Sequence, residues 1–135
     1  MADLTITAAD VAAVEIIEKV TGPAAAAIDA GEACYIVAAS GKYNLADEDA
    51  SAPVNDVEGV AINSANAAGI TTTLVRKGVL DVGDALAGMD YGAEVYLSAT
   101  AGKLADADPG NTVVVGQVIP GWGYTTADKL LRVDL

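Results

Sequence analysis

Apolar and polar positions alternate over short stretches of this chain, and glycine, proline or acidic clusters break each stretch before it grows long. Leu4-Thr5-Ile6-Thr7 alternates and suits a strand or an extended arm. Asp10 reads as the cap of a short helix or turn through Val11-Ala12-Ala13. Val14 to Val20 is β-branched enough for a strand, although its alternation is not clean, and Thr21-Gly22-Pro23 ends it. Ala24 to Ala27 is too short for a helix and leads into the turn Asp29-Ala30-Gly31. Further strands are predicted at Ala33–Ala38, Tyr43–Leu45, Val57–Asn63, Ile70–Lys77 (stopped by Gly78), Val79–Val82, Glu94–Ser98, Lys103-Leu104, Thr112–Ile119 and Ala127–Leu135. Asp84 to Met89 suits one helical turn. Thr112–Ile119 is the longest β-prone run and the one expected to be most buried. Short strands with turns at even spacing define an all-β fold, a small β-sandwich or barrel.

One unit is used twice. Sliding the chain by 61 residues lays Asp29, Gly31, Tyr35, Ala38, Gly41, Lys42, Ala46 and Asp47 on Asp90, Gly92, Tyr96, Ala99, Gly102, Lys103, Ala107 and Asp108. Sliding by 57 lays Val57, Gly59 and Ile62 on Val114, Gly116 and Ile119. The difference falls in a loop, where insertion costs little. Each copy reads as strand, Gly-Lys turn, strand, acidic loop, strand. Gly59 inside a strand suggests a bulge or a close backbone approach. Residues 1–22 read as an N-terminal arm and strands. Residues 23–135 read as a single β domain with the pseudo-repeat 29–62 and 90–119.

Composition sharpens this picture. Of 135 residues 53% are apolar, but Phe is absent, and one Trp and five Tyr supply every aromatic ring. A core of Ala and Val buries little area per side chain, so part of the burial is expected from partner subunits. The net charge of −12, with only 7 Lys plus Arg, argues against nucleic-acid binding and for a basic or mixed protein partner. No apolar run reaches the roughly 20 residues that span a bilayer, and no signal peptide is visible, so the expectation is a protein made in the cytoplasm and not bound to membrane.

The candidate chemistry is sparse. There is no His, which removes the commonest general base and metal ligand. Cys34, the single cysteine, lies in the apolar run Ala33–Val37 and reads as a buried structural thiol. Asp47, Glu48 and Asp49 in one loop and Asp106 and Asp108 in its counterpart offer hard oxygens for calcium, but EF-hand spacing is missing, and two solvated acidic turns are the reading adopted. No catalytic residue, cofactor or metal ligand is assigned. Trp122 and Tyr124, on a glycine-flanked loop, suit either a contact hot spot or a cover over the barrel end. Arg76-Lys77 reads as a guard at a strand edge or as a donor to an acidic partner loop.

Tyr96 to Leu104 (YLSATAGKL), the Val114–Val118 strand after a short acidic loop, and the matching Gly41-Lys42-Tyr43 and Val57–Ala61 resemble the small capsid decoration (cement) proteins of tailed bacteriophages. The resemblance covers about Gly31 to Leu135 and rests on pattern and composition. It implies a non-enzymatic virion protein on the capsid exterior. Such a protein binds the major capsid protein lattice, stabilises it against internal pressure, and associates with itself, commonly as a homotrimer and sometimes as a dimer. Candidate partner contacts are Leu4, Ile6, Arg76, Lys77, Trp122 and Tyr124, with Ala2–Thr7 as an arm that adds a strand to a neighbour. The alternative is a carbohydrate-binding or adhesin-type β-sandwich with Trp122 and Tyr124 as its platform.

Overall fold

A computed structural model of the chain describes residues 2–121 and 128–135. A 3-10 turn at Ala8–Asp10 is followed, among the described residues, only by strands: β1 (Val11–Pro23), β2 (Ala33–Ile36), β3 (Tyr43–Leu45), β4 (Gly59–Ala61), β5 (Thr71–Val82), β6 (Glu94–Leu97), β7 (Leu104–Ala105), β8 (Val114–Pro120) and β9 (Lys129–Asp134). They form one curled antiparallel sheet, a half-barrel, in the order β3-β2-β4-β5-β9-β8-β6-β7, with β1 paired to β5. The expected all-β class with a duplicated unit is the observed one.

The duplication extends to the register. Ala33–Val60, Cys34–Gly59, Tyr35–Asn44 and Ile36–Tyr43 are Cα partners in the first copy. The same two offsets carry them onto Glu94–Gln117, Val95–Gly116, Tyr96–Ala105 and Leu97–Leu104, which are partners in the second. The likeness continues past the repeat visible in the sequence: Val60–Val75 and Ala61–Leu74 recur as Gln117–Arg132 and Val118–Leu131. The two in-strand glycines are equivalent, and both serve close approach. A Cβ on Gly59 would lie 2.7 Å from Leu74 Cβ and 2.9 Å from the Val75 carbonyl oxygen, and one on Gly116 would land on the Arg132 carbonyl.

The copies pack face to back. In the first copy Ala33, Val60 and Val75 point into the main apolar cluster. Cys34, Tyr43, Ala61 and Leu74, on the opposite face, pack under Ala24, Ile28 and Ala65 in a second cluster. In the second copy the equivalents of that second face, Val95, Leu104, Val118 and Leu131, fill the main cluster. The remaining face carries Glu94, Tyr96, Gln117 and Arg132 at the protein surface, tied by a Tyr96–Glu94 hydrogen bond of 2.8 Å and an Arg132–Gln117 contact. Backbone bonds clamp the copies together: Ala33 N–H donates to Gly102 O (2.9 Å) and Gly102 N–H to Ala46 O (2.7 Å).

Several local expectations need correction. Val11–Ala13 is already strand, because the turn closes one step earlier, where Asp10 N–H donates to Thr7 O (2.9 Å). Gly78 does not stop its strand. β5 runs through it to Val82, and the glycine is there because a side chain would strike the Glu15 carbonyl of β1. Arg76 and Lys77 therefore lie inside a strand paired to β1, not at an edge. β1 and β5 are longer than β8, and Val114 at the start of β8 is exposed. Ala24 contributes one parallel bridge to Tyr43, and Asp84–Met89 forms turns that bury Leu86.

Candidate protein-contact surface

Among the described residues β1 is the one long element left in solvent. It pairs with β5 throughout, from Val11–Val82 to Pro23–Thr71. Every residue from Ala12 to Lys19 is nevertheless exposed. Val14, Ile16 and Ile17 are 37%, 41% and 69% exposed, so three of the large apolar side chains in solvent share one strand. The cause lies in the pairing. Val14 and Ile17 have no partner residue on β5 and are the extra residues of two bulges. Bulges raise the local twist and break period-two alternation, and with eight consecutive residues exposed neither face of this stretch is covered. An open groove of about 440 Å³ runs beside β1, lined by Glu15, Ile17, Lys77, Val79, Arg132 and Asp134.

The charges on this ribbon divide into used and unused. Arg76, skipped in the register between Val75 and Lys77, bridges Glu18 (3.2 Å) and Glu58 (2.7 Å). Lys77 bonds Asp134 (2.8 Å) and the Leu135 carbonyl (2.8 Å), and its ammonium holds the Asp134 carboxyl below the usual carboxylate range. Glu15 and Lys19 make no ion pair among the described residues.

The two acidic loops meet one another. Asn111 N–H donates to Glu48 Oε1 and its Nδ2 to Glu48 O (3.1 Å), while Glu48 N–H donates to Ser98 O (3.2 Å). Glu48 is buried, so the first acidic loop is not wholly a solvated turn, and its Oε2 has no hydrogen-bond partner. Asp108 fits that reading better: it accepts from Gly110 N–H (2.8 Å) and from Thr112, whose hydroxyl is the main reason its carboxyl titrates low. Among the described residues no three or more Cys, Asp or Glu side chains converge as a metal site.

The remaining sequence candidates are scattered. Leu4 is buried in the main cluster with Ile6 packed beside it, and Leu4 N–H donates to Leu104 O (2.8 Å). Residues 2–4 thus lie along the chain's own β7, with Ala2 N–H on Asp106 (2.8 Å). Trp122 and Tyr124 lie outside the described residues, and so does the glycan platform built on them. The β1 surface was missed. Its signal was the unclean alternation at Val14–Val20, with two adjacent isoleucines facing no single core.

Cys34 is fully buried, as expected for a structural thiol. Burial, then the nearby Glu32 charge, pushes its pKa from 9.0 up to about 12. The folded state therefore holds the proton more tightly than the unfolded state. The stability this brings is complete below pH 9.0 and is lost as pH rises towards about 12. Urea-unfolding free energies are expected to fall over that window by up to about 1.4 kcal/mol per pH unit from this group. Cys34→Ala, measured over the same range, is expected to flatten the slope, with the rest owed to tyrosines such as Tyr43, whose burial also raises its pKa.

No family model, curated protein or solved structure matches the chain. No helix among the described residues is long and apolar enough to cross a membrane.

Proposed function

We propose that this chain is a structural virion protein that binds the outer surface of a tailed-phage capsid and stabilises the major capsid protein lattice by contact, without catalysis. The observation that carries this reading is β1: a thirteen-residue strand, exposed along its middle, with its apolar side chains turned outward. A small protein keeps such a strip when another protein covers it. The resemblance supplies the kind of partner. The stretches that carry it fold as two equivalent strand trios, so the likeness lies in the scaffold. A protein that binds the expanded lattice more tightly than free subunits stabilises that lattice by mass action, and a repeating shell multiplies a small gain per copy.

Co-sedimentation tests it. The purified protein is expected to pellet saturably with expanded capsids stripped of their surface proteins, and to stay in solution without them. Failure to pellet, together with binding to a glycan array, overturns the reading.

A further inference from the structure

We propose that the first acidic loop, where it meets the second, binds a calcium ion, with Glu48 and Asn55 as its side-chain ligands. The site does not depend on the capsid reading. Glu48 is 1% exposed, yet it makes no ion pair among the described residues. Buried charges are paired or coordinate metals. The sequence offers no pairing side chain nearby: residues 46–56 and 105–112 add Asp47, Asp49, Asp56, Asp106 and Asp108 and contain no Lys or Arg. The Asn111 N–H serves Oε1 of Glu48, and Oε2 is left buried without a partner. Among the described residues only one other buried side-chain atom lacks a partner, and it is Oδ1 of Asn55 in the same loop. Asp47 N–H donates to Val54 O (3.2 Å), and Glu48 and Asn55 each follow that bond by one residue. Two buried acceptor oxygens at the closure of one loop are satisfied together by a cation.

The donor set selects the ion. Carboxylate and amide oxygens, in a chain without His, suit a hard cation. Calcium accepts amide and main-chain oxygens in a flexible shell of about six to eight, whereas magnesium demands a near-ideal octahedron and keeps its water. Only one carboxylate enters the set, since no three acidic side chains converge among the described residues. Main-chain oxygens and water complete the shell. One ligand charge gives a weak site, with a Kd of about 0.1–1 mM.

Isothermal titration calorimetry of the chelator-treated protein with calcium chloride, at constant ionic strength, is expected to show one site with that Kd. In about 10 mM calcium chloride the Tm is expected to lie at least about 3 °C above its value in sodium chloride of equal ionic strength. Glu48→Gln keeps the shape and removes the charge. It is expected to abolish both the heat and the Tm rise, and to melt no lower than the natural chain in chelator. Asn55→Ala is expected to raise the Kd at least about tenfold. Asp49→Asn, which neutralises an exposed neighbour, is expected to leave it within about twofold. In the isotope-labelled natural chain, calcium is expected to shift the nuclear magnetic resonance signals of the Asn111 amide and the Asn55 side-chain amide. No heat up to about 10 mM calcium, or a Tm rise matched by sodium or magnesium chloride, overturns the proposal. So does a Glu48→Gln chain that still responds, or Asn55 and Asn111 signals that do not move.

Discussion

Gly116→Ala is expected to cost about 3 kcal/mol of folding stability, and Gly116→Val to leave little folded protein. β8 and β9 pair closely here, with Gly116 opposite Val133. A methyl group at 116 would clash with the Arg132 carbonyl oxygen, with Leu131 Cδ1 only 3.2 Å away. Backbone cannot step aside as a flexible side chain can, so the strands must separate and lose ladder bonds. Domains of this size hold only about 5–15 kcal/mol in total, and the larger side chain takes much of that. Gly88→Ala is the control, because nothing lies within 4 Å of a Cβ there. Urea midpoints of the three variants decide it. A Gly116→Ala midpoint equal to that of Gly88→Ala would mean that the close contact is not present in solution.

Leu131→Ala is the second large effect. Leu131 is fully buried between Leu80 on one flank and Val118 on the other, in the main cluster. Truncation removes apolar transfer energy and leaves a cavity walled by backbone already locked in the sheet, so the site collapses poorly. The expected loss is about 3–4 kcal/mol. Leu130, its neighbour on the opposite face, is also largely buried but lies outside both clusters, and Leu130→Ala is expected to cost clearly less. Thermal or urea unfolding of the two variants side by side checks the order. Equal losses would contradict the assignment of Leu131 to the centre of the core.

Much of the fold was legible because the repeat is written in residues with backbone duties. Gly41-Lys42 and Gly102-Lys103 mark the turns, and Gly59 and Gly116 mark the tight strands, so their recurrence announced a shared register. What lay beyond reach depended on partners distant in the chain. Gly78 looked like a stop because the carbonyl that demands it belongs to Glu15, far upstream. Leu4 looked like a free arm because the cluster that takes it is built from strands far along the chain, from β2 to β9. Arg76 and Lys77 looked like a guard because Glu18, Glu58 and Asp134 could not be placed beside them. The contact surface was hidden for a related reason: a bulge is a mismatch between two strands, and one strand read alone shows only irregular alternation.

The face-to-back packing of the two copies joins unlike surfaces, and such a junction has no built-in end. A head-to-tail contact goes on adding units until something stops it. Here each end has its own stop. Ala24, Ile28 and Ala65 plug the open side of the first copy. Glu94, Gln117 and Arg132 stand on the second copy where the first has Ala33, Val60 and Val75, so a third unit would have to bury charge to join. The chain is a two-step stack with a polar lid, and those three substitutions separate a finite protein from the beginning of a fibre.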